Sequence, residues 1–131
     1  MTLTPERTAP TSHGLFGSIT LDERSDATVC HVRGEVDVSL RAEAGAAMAR
    51  IVQRKQPVVI DTSGVTFIDS SGLAFLIVVS QAVAREGVRV RLTGPPTQLL
   101  DLLELAGATD LFEITPGAEA DDEASRPTAS S

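Results

Sequence analysis

Val58-Val59-Ile60-Asp61 and, a few residues on, Asp69-Ser70-Ser71-Gly72-Leu73-Ala74-Phe75-Leu76-Ile77-Val78-Val79 decide how this chain folds. The first is a short apolar run of the kind a fully buried strand uses. The second is apolar almost throughout after Gly72 and runs on towards Gly87. Two serines therefore sit where a strand hands over to a helix. The first helical turn leaves backbone N–H groups unpaired and carries the positive end of the macrodipole, so a negative group is well placed there. A phosphorylated serine would bring about −1.5 to −2 charge at neutral pH. The same residues also read as an ordinary cap, with Asp69 or Ser70 worth about 1 kcal/mol at the helix start. Chemistry alone leaves both readings open.

Periodicity extends the pattern outward. Ile19 and Leu21 alternate with Ser18, Thr20 and Asp22, and Val29-Cys30-His31-Val32 follows a polar Arg24-Ser25-Asp26 turn, which predicts a β-hairpin. Leu40, Ala44, Ala47, Met48, Ile51 and Val52 recur at helical spacing, with Asp37 or Ser39 as the cap and Pro57 just beyond. Val88-Arg89-Val90-Arg91-Leu92 predicts a strand with two arginines on one face. Pro95-Pro96-Thr97 opens a last helix carrying Leu99, Leu100, Leu102, Leu103 and Ala106, with Gly107 as its C-cap. Strands alternating with helices give an α/β domain whose central strands are parallel.

Three elements then carry a resemblance: residues 58–72 with Asp-Ser-Ser-Gly opening an apolar helix, the upstream Gly34-Glu35-Val36-Asp37, and Leu103-Glu104-Leu105-Ala106-Gly107 followed by Leu111-Phe112-Glu113-Ile114. In that order and spacing they resemble the STAS-domain anti-sigma factor antagonists, over roughly residues 16 to 114. The resemblance implies a single STAS-like domain, 14–115, with a small mixed β-sheet and helices packed on one face. It leaves a flexible tail at 1–13 and an acidic, disordered one at 116–131. It also implies a protein that binds an anti-sigma factor serine kinase when unphosphorylated, so freeing a sigma factor, and that phosphorylation of Ser70 releases. Ser71 is the backup acceptor, and a phosphoserine phosphatase would reset the switch. Asp37, by the same carry-over, faces the partner, and with Asp69, Ser70, Ser71, Gly72 and Phe75 makes up the expected partner surface. Gly34 is expected to permit a tight turn. Family members commonly continue into another amphipathic helix, whereas Thr115-Pro116-Gly117-Ala118 and the acidic stretch after it offer no apolar face. The alternative within the family is a STAS scaffold, sensor or ligand-binding module not acting directly on a sigma factor.

Composition bounds the rest. The 131 residues suffice for one self-sufficient core, and with aromatics at 3%, all of them Phe, that core must be aliphatic. Lone Cys30 excludes an internal disulfide and a cysteine metal cluster, and is expected as a buried thiol. His31 is expected on the solvent side of the same strand with nothing nearby to make it a ligand. Arg89 and Arg91 are expected on a solvated sheet face. The net charge of −7, with −3 of it in residues 116–131, argues against binding nucleic acid. No run approaches the 18 apolar residues of a membrane span, and the opening residues lack signal-peptide character, so a cytoplasmic protein is expected.

Rival chemistries fail on particular residues. The α/β-hydrolase elbow reads G-x-S-x-G, but Ile68 stands at its first glycine, and both His13 and His31 precede Ser70. A phospho-aspartate receiver resembles this chain in length, yet requires a late lysine, and the only lysine is Lys55. No P-loop is present. The expectation is a regulatory binding protein, not an enzyme, without cofactor or metal. The helix after Ser70 raises one further question. Leu73, Leu76, Ile77, Val83 and Ala84 form a stripe suited to the sheet, and Phe75, Val78, Val79 and Ala82 form a second. Either the helix around residues 99–106 covers that second stripe, or part of it is an exposed patch anchored by Phe75.

Overall fold

Three residues in register, Cys30, Ile60 and Leu92, have no solvent exposure, and they mark the side of the sheet on which the helices lie. The neighbouring row, Val29, Val59, Arg91 and Glu113, points to the other side and ends in charged groups. The computed structural model describes residues 16–116. The expected tails, 1–13 and all but the first residue of 116–131, lie outside them.

Strand β1 (Gly17–Glu23) pairs antiparallel with β2 (Thr28–Val36), setting Ile19 opposite Val32 and Leu21 opposite Cys30, as the alternation predicts. Strands β3 (Val58–Ile68), β4 (Val90–Thr93) and β5 (Phe112–Thr115) follow in parallel, giving a mixed five-stranded sheet in sequence order. Helix α1 (Arg41–Arg54) grows out of a 3₁₀ turn at Val38–Leu40 and ends at Lys55. Helix α2 is Ser70–Ala84, and α3 is Thr97–Ala106, closed by Gly107 at a φ of 66°. Buried Leu40, Ile51, Leu76, Val79, Leu99 and Leu103 from these elements meet the aliphatic row of the sheet. Among the described residues no helix is long and apolar enough to cross a membrane.

Several expectations need correcting. The strand expected at residues 58–61 continues to Ile68, because Gly64, Val65, Phe67 and Ile68 pair with Arg33 to Val36 of β2, while Ser63 and Thr66 fall at the two register irregularities. The strand expected at 88–92 is shifted to Val90–Thr93. Gly34 does not make a turn. It lies inside β2 at a φ of 75°, next to an irregularity in register, and a Cβ there would stand 2.1 Å from the Phe16 carbonyl oxygen. Strand β1 crosses so close at this bulge that only glycine fits. On α2, Val79 is fully buried while Ile77 is half-buried and Ala84 exposed. The buried stripe is therefore Gly72, Leu76, Val79 and Val83, joined by Leu73 and Ser80. The hydroxyl of Ser80 donates to the Leu111 carbonyl (3.2 Å), which pins this face of α2 to the turn before β5.

Smaller expectations concern single side chains on both sides of the sheet. Cys30 is buried as expected, and burial pushes its thiol up to about 12. His31 faces the open side but has a neighbour: its Nδ1 lies 3.1 Å from Asp61 Oδ2. Asp61 Oδ1 accepts from Ser63 N (3.0 Å) and Ser63 Oγ (2.7 Å). Burial acts to raise the Asp61 carboxyl, but the bonds from Ser63 and His31 outweigh it and hold the group below its ordinary value. Arg89 and Arg91 are exposed, with Arg91 Nε 3.7 Å from Glu113.

Candidate functional site

Asp69 settles which residue caps α2. Its backbone is extended, its N–H donates to the Val36 carbonyl (3.2 Å), and its Oδ1 accepts from Ser71 N (2.9 Å) and Gly72 N (3.3 Å). Ser70 is then the first helical residue, and its side chain is not the cap. Both Ser70 and Ser71 are exposed. The arrangement leaves two hydroxyls at the positive end of a 15-residue helix, with the capping task taken by the aspartate before them.

The tight fit of this helix start depends on Gly72, which is buried. A Cβ there would come within 2.6 Å of Ile68 Cγ1 and 2.8 Å of Val36 Cγ1. The end of β2, the end of β3 and the first turn of α2 are thus locked together, and Ser70 is presented on a rigid base. Asp37 follows directly from β2. Its Oδ1 accepts from Ser39 Oγ (2.6 Å) and Ser39 N (3.0 Å), which caps the 3₁₀ turn before α1. The bonds from Ser39 hold its carboxyl below the usual carboxylate value.

Between these two helix starts lies a groove of about 300 Å³. Asp37, Ser71, Gly72 and Phe75 line it together, so four of the six residues expected at the partner surface border one cavity. Asp69 and Ser70 directly precede Ser71 in the chain but do not line the groove. The floor is apolar, with Ile19, Val36, Leu40, Ala44 and Met48. Phe75 is half-buried and packs against the core with its neighbours. The wall opposite Phe75 is α1, and α3 contributes nothing to the groove. Neither side fully covers the second stripe, since Val78 keeps 44% of its surface exposed.

Sequence reasoning missed two groups here. Val38, 54% exposed, stands on the rim one residue after Asp37, and Arg41 is the basic side chain in the lining. An apolar residue in a turn beside two polar neighbours was the available signal for Val38. Phe16 and Phe67 add exposed aromatic surface at the same end of the sheet, flanking Glu35 through the Phe16–Glu35 backbone bond and the Glu35–Phe67 pairing. Among the described residues no group of three or more His, Cys, Asp or Glu could hold a metal ion.

The fold and this site define a class: a small α/β domain that presents a hydroxyl and a shallow groove on its surface. The STAS domain family model matches residues 18–120, and the chain belongs to that family. It is 26% identical to an anti-sigma factor antagonist from Mycobacterium paratuberculosis, with a TM-score of 0.65, over 92% of this chain and 99% of that one. The anti-sigma factor antagonist SpoIIAA in its unphosphorylated form matches with 14% identity and a TM-score of 0.64, covering 85% of this chain and 97% of its own. The Bacillus cell fate determinant SpoIIAA in its phosphorylated form matches with 16% identity and a TM-score of 0.63, over 81% and 98%. The likeness to both SpoIIAA structures is one of fold.

Proposed function

We propose that this chain is an anti-sigma factor antagonist that binds an anti-sigma factor serine kinase when unphosphorylated, frees a sigma factor, and is released by phosphorylation at Ser70. The observation that carries the reading is the division of labour at the start of α2: Asp69 caps the helix, so the Ser70 hydroxyl is exposed and free to be a substrate. The groove beside it supplies a docking surface, with Val38, Phe75 and Val78 as apolar contacts and Asp37 and Arg41 as charged ones. A phosphate on Ser70 gains from the helix N-terminus and is opposed by Asp69, so it changes the interface without a strong effect on the fold. A phosphoserine phosphatase would restore the binding form. The role is that of a switch component in the cytoplasm, without a catalytic step of its own.

Incubation of the purified protein with candidate serine kinases and ATP, followed by mass spectrometry, tests the acceptor. The expected product carries phosphate on Ser70, and Ser70→Ala resists modification while still binding the kinase. Phosphate on Ser63, or on Ser71 alone, would refute the assignment. A protein that no anti-sigma factor kinase binds or modifies would point instead to a STAS scaffold or sensor.

A further inference from the structure

Strand β1 is an edge of the sheet, and among the described residues no strand pairs with its outer side. Exposed edges are commonly blunted by lysine, proline or a bulge. β1 carries neither lysine nor proline and pairs with β2 in unbroken register. Its carboxylates are neutralised from within, Asp22 by Arg24 (2.9 Å) and Glu23 by Arg50 (2.6 Å). The phase of the ladder decides which backbone groups are left over. Arg24 N donates to the Ala27 carbonyl (2.9 Å) at one end, and Glu35 N donates to the Phe16 carbonyl (3.0 Å) at the other. Bonded and non-bonded positions alternate along an antiparallel pair. Ser18, Thr20 and Asp22 therefore bond to β2, and Gly17, Ile19, Leu21 and Glu23 turn their N–H and C=O groups outward.

We infer that β1 pairs antiparallel with β1 of a second copy about a two-fold axis at Thr20, joining two sheets into one. In this register every outward residue meets another: Ile19 faces Leu21, Gly17 faces Glu23, and each pair exchanges both backbone hydrogen bonds. A slip of one residue sets outward groups against inward ones, and a slip of two leaves Gly17 or Glu23 without a partner in the strand. The side chains agree with the register. On the helix side Ile19 and Leu21 pack across the seam, and on the open side Thr20 meets Thr20 and Asp22 meets Ser18, so no like charges are opposed. Ile19 and Leu21 already line a groove of about 180 Å³ with Ala46 and Ala47 of α1, and the same two residues of the second copy extend its apolar wall. The groove beside Phe75 uses a different face of α1, with Ala44 and Met48, so the inference does not rest on the kinase reading. The dimer presents two Ser70 turns pointing to opposite ends of one continuous sheet.

Sedimentation equilibrium of the full chain, from micromolar to millimolar concentration, tests the pairing. The mass should rise from the 13.7 kDa of one chain towards twice that value and no further. Thr20 is exposed on the open side, so Thr20→Lys and Thr20→Asp leave the core alone. Each variant by itself should weaken the dimer roughly tenfold or more, because like charges then stand face to face, and mixing the two should restore it. Thr20→Cys should give a disulfide-linked dimer on oxidation, since a non-bonded pair brings its Cα atoms to about 4.5 Å. Ser18→Cys, about 14 Å from its counterpart, should not. Buried Cys30, its thiol pushed up to about 12, stays out of the reaction. A full chain that stays at 13.7 kDa throughout would overturn the inference, whether its edge is covered from within or left to solvent. A dimer untouched by either charge at position 20, or lost in both variants and not restored by mixing them, would overturn it equally.

Discussion

At the scale of single residues, glycines and carboxylates decide the local geometry, and two contrasts expose this. Gly34→Ala forces a Cβ to 2.1 Å from the Phe16 oxygen at a positive φ and should cost roughly 2–4 kcal/mol in denaturant unfolding. Gly45→Ala meets nothing within 4 Å in the middle of α1 and should gain about 0.5–1 kcal/mol. Similar losses at both positions would contradict the bulge. Asp61 gives a pH signature. Its folded pKa is held down by Ser63 and His31, so its contribution is present above the unfolded value of about 3.9 and is lost as pH falls through the folded one. The stability gap between wild type and Asp61→Asn should therefore be constant above about pH 5 and shrink below about pH 4. A gap that widens on acidification would refute the pairing. The importance of Gly34 was legible in the sequence, but not as a bulge, because the close approach comes from β1, a strand apart. The Asp61–His31 contact was hidden for the same reason: 30 residues separate the pair, and only parallel pairing of β2 with β3 brings them together.

At the scale of elements, α2 is where the sequence said most and misled most. An unbroken apolar run fixed the helix and its start, yet could not rank its faces, since nearly every position was apolar. Tertiary neighbours did that: Ser80 is tied to the Leu111 carbonyl, while Phe75 and Val78 face α1 across an open groove. The expectation that the helix at 99–106 covers the second stripe is replaced by α1, which covers it in part. Phe75→Ala and Leu76→Ala separate the two faces. Leu76 is 1% exposed and its loss should cost about 2–5 kcal/mol. Phe75 is half-buried on the groove wall and should cost clearly less, while kinase binding falls by tenfold or more, about 1.4 kcal/mol. Calorimetric binding combined with urea unfolding reads both. Equal destabilisation by the two variants would make Phe75 a core residue and remove the anchor from the interface. The length of β3 was illegible for a different reason, because its second half is held by pairing with β2 rather than by apolar pattern.

At the scale of the whole molecule, the sheet divides the protein into two working surfaces. The helix side carries the core, and at one end the Ser70 turn and its groove. The open side carries charged pairs. The order of elements and the mixed sheet were legible because apolar runs alternate with capped helical segments, and the candidate site was proposed through Asp69-Ser70-Ser71-Gly72, which does open α2. The groove was not, since it exists only between α1 and α2 once both are packed. The central claim is that phosphate at Ser70 switches binding through this surface and not through unfolding. Its most direct test compares phosphorylated and unphosphorylated protein by partner titration and by amide NMR on the same samples. The account predicts a loss of affinity of roughly a hundredfold, about 3 kcal/mol, with the folded dispersion retained. Unchanged affinity in protein phosphorylated at Ser70, or collapse of the amide dispersion, would contradict it.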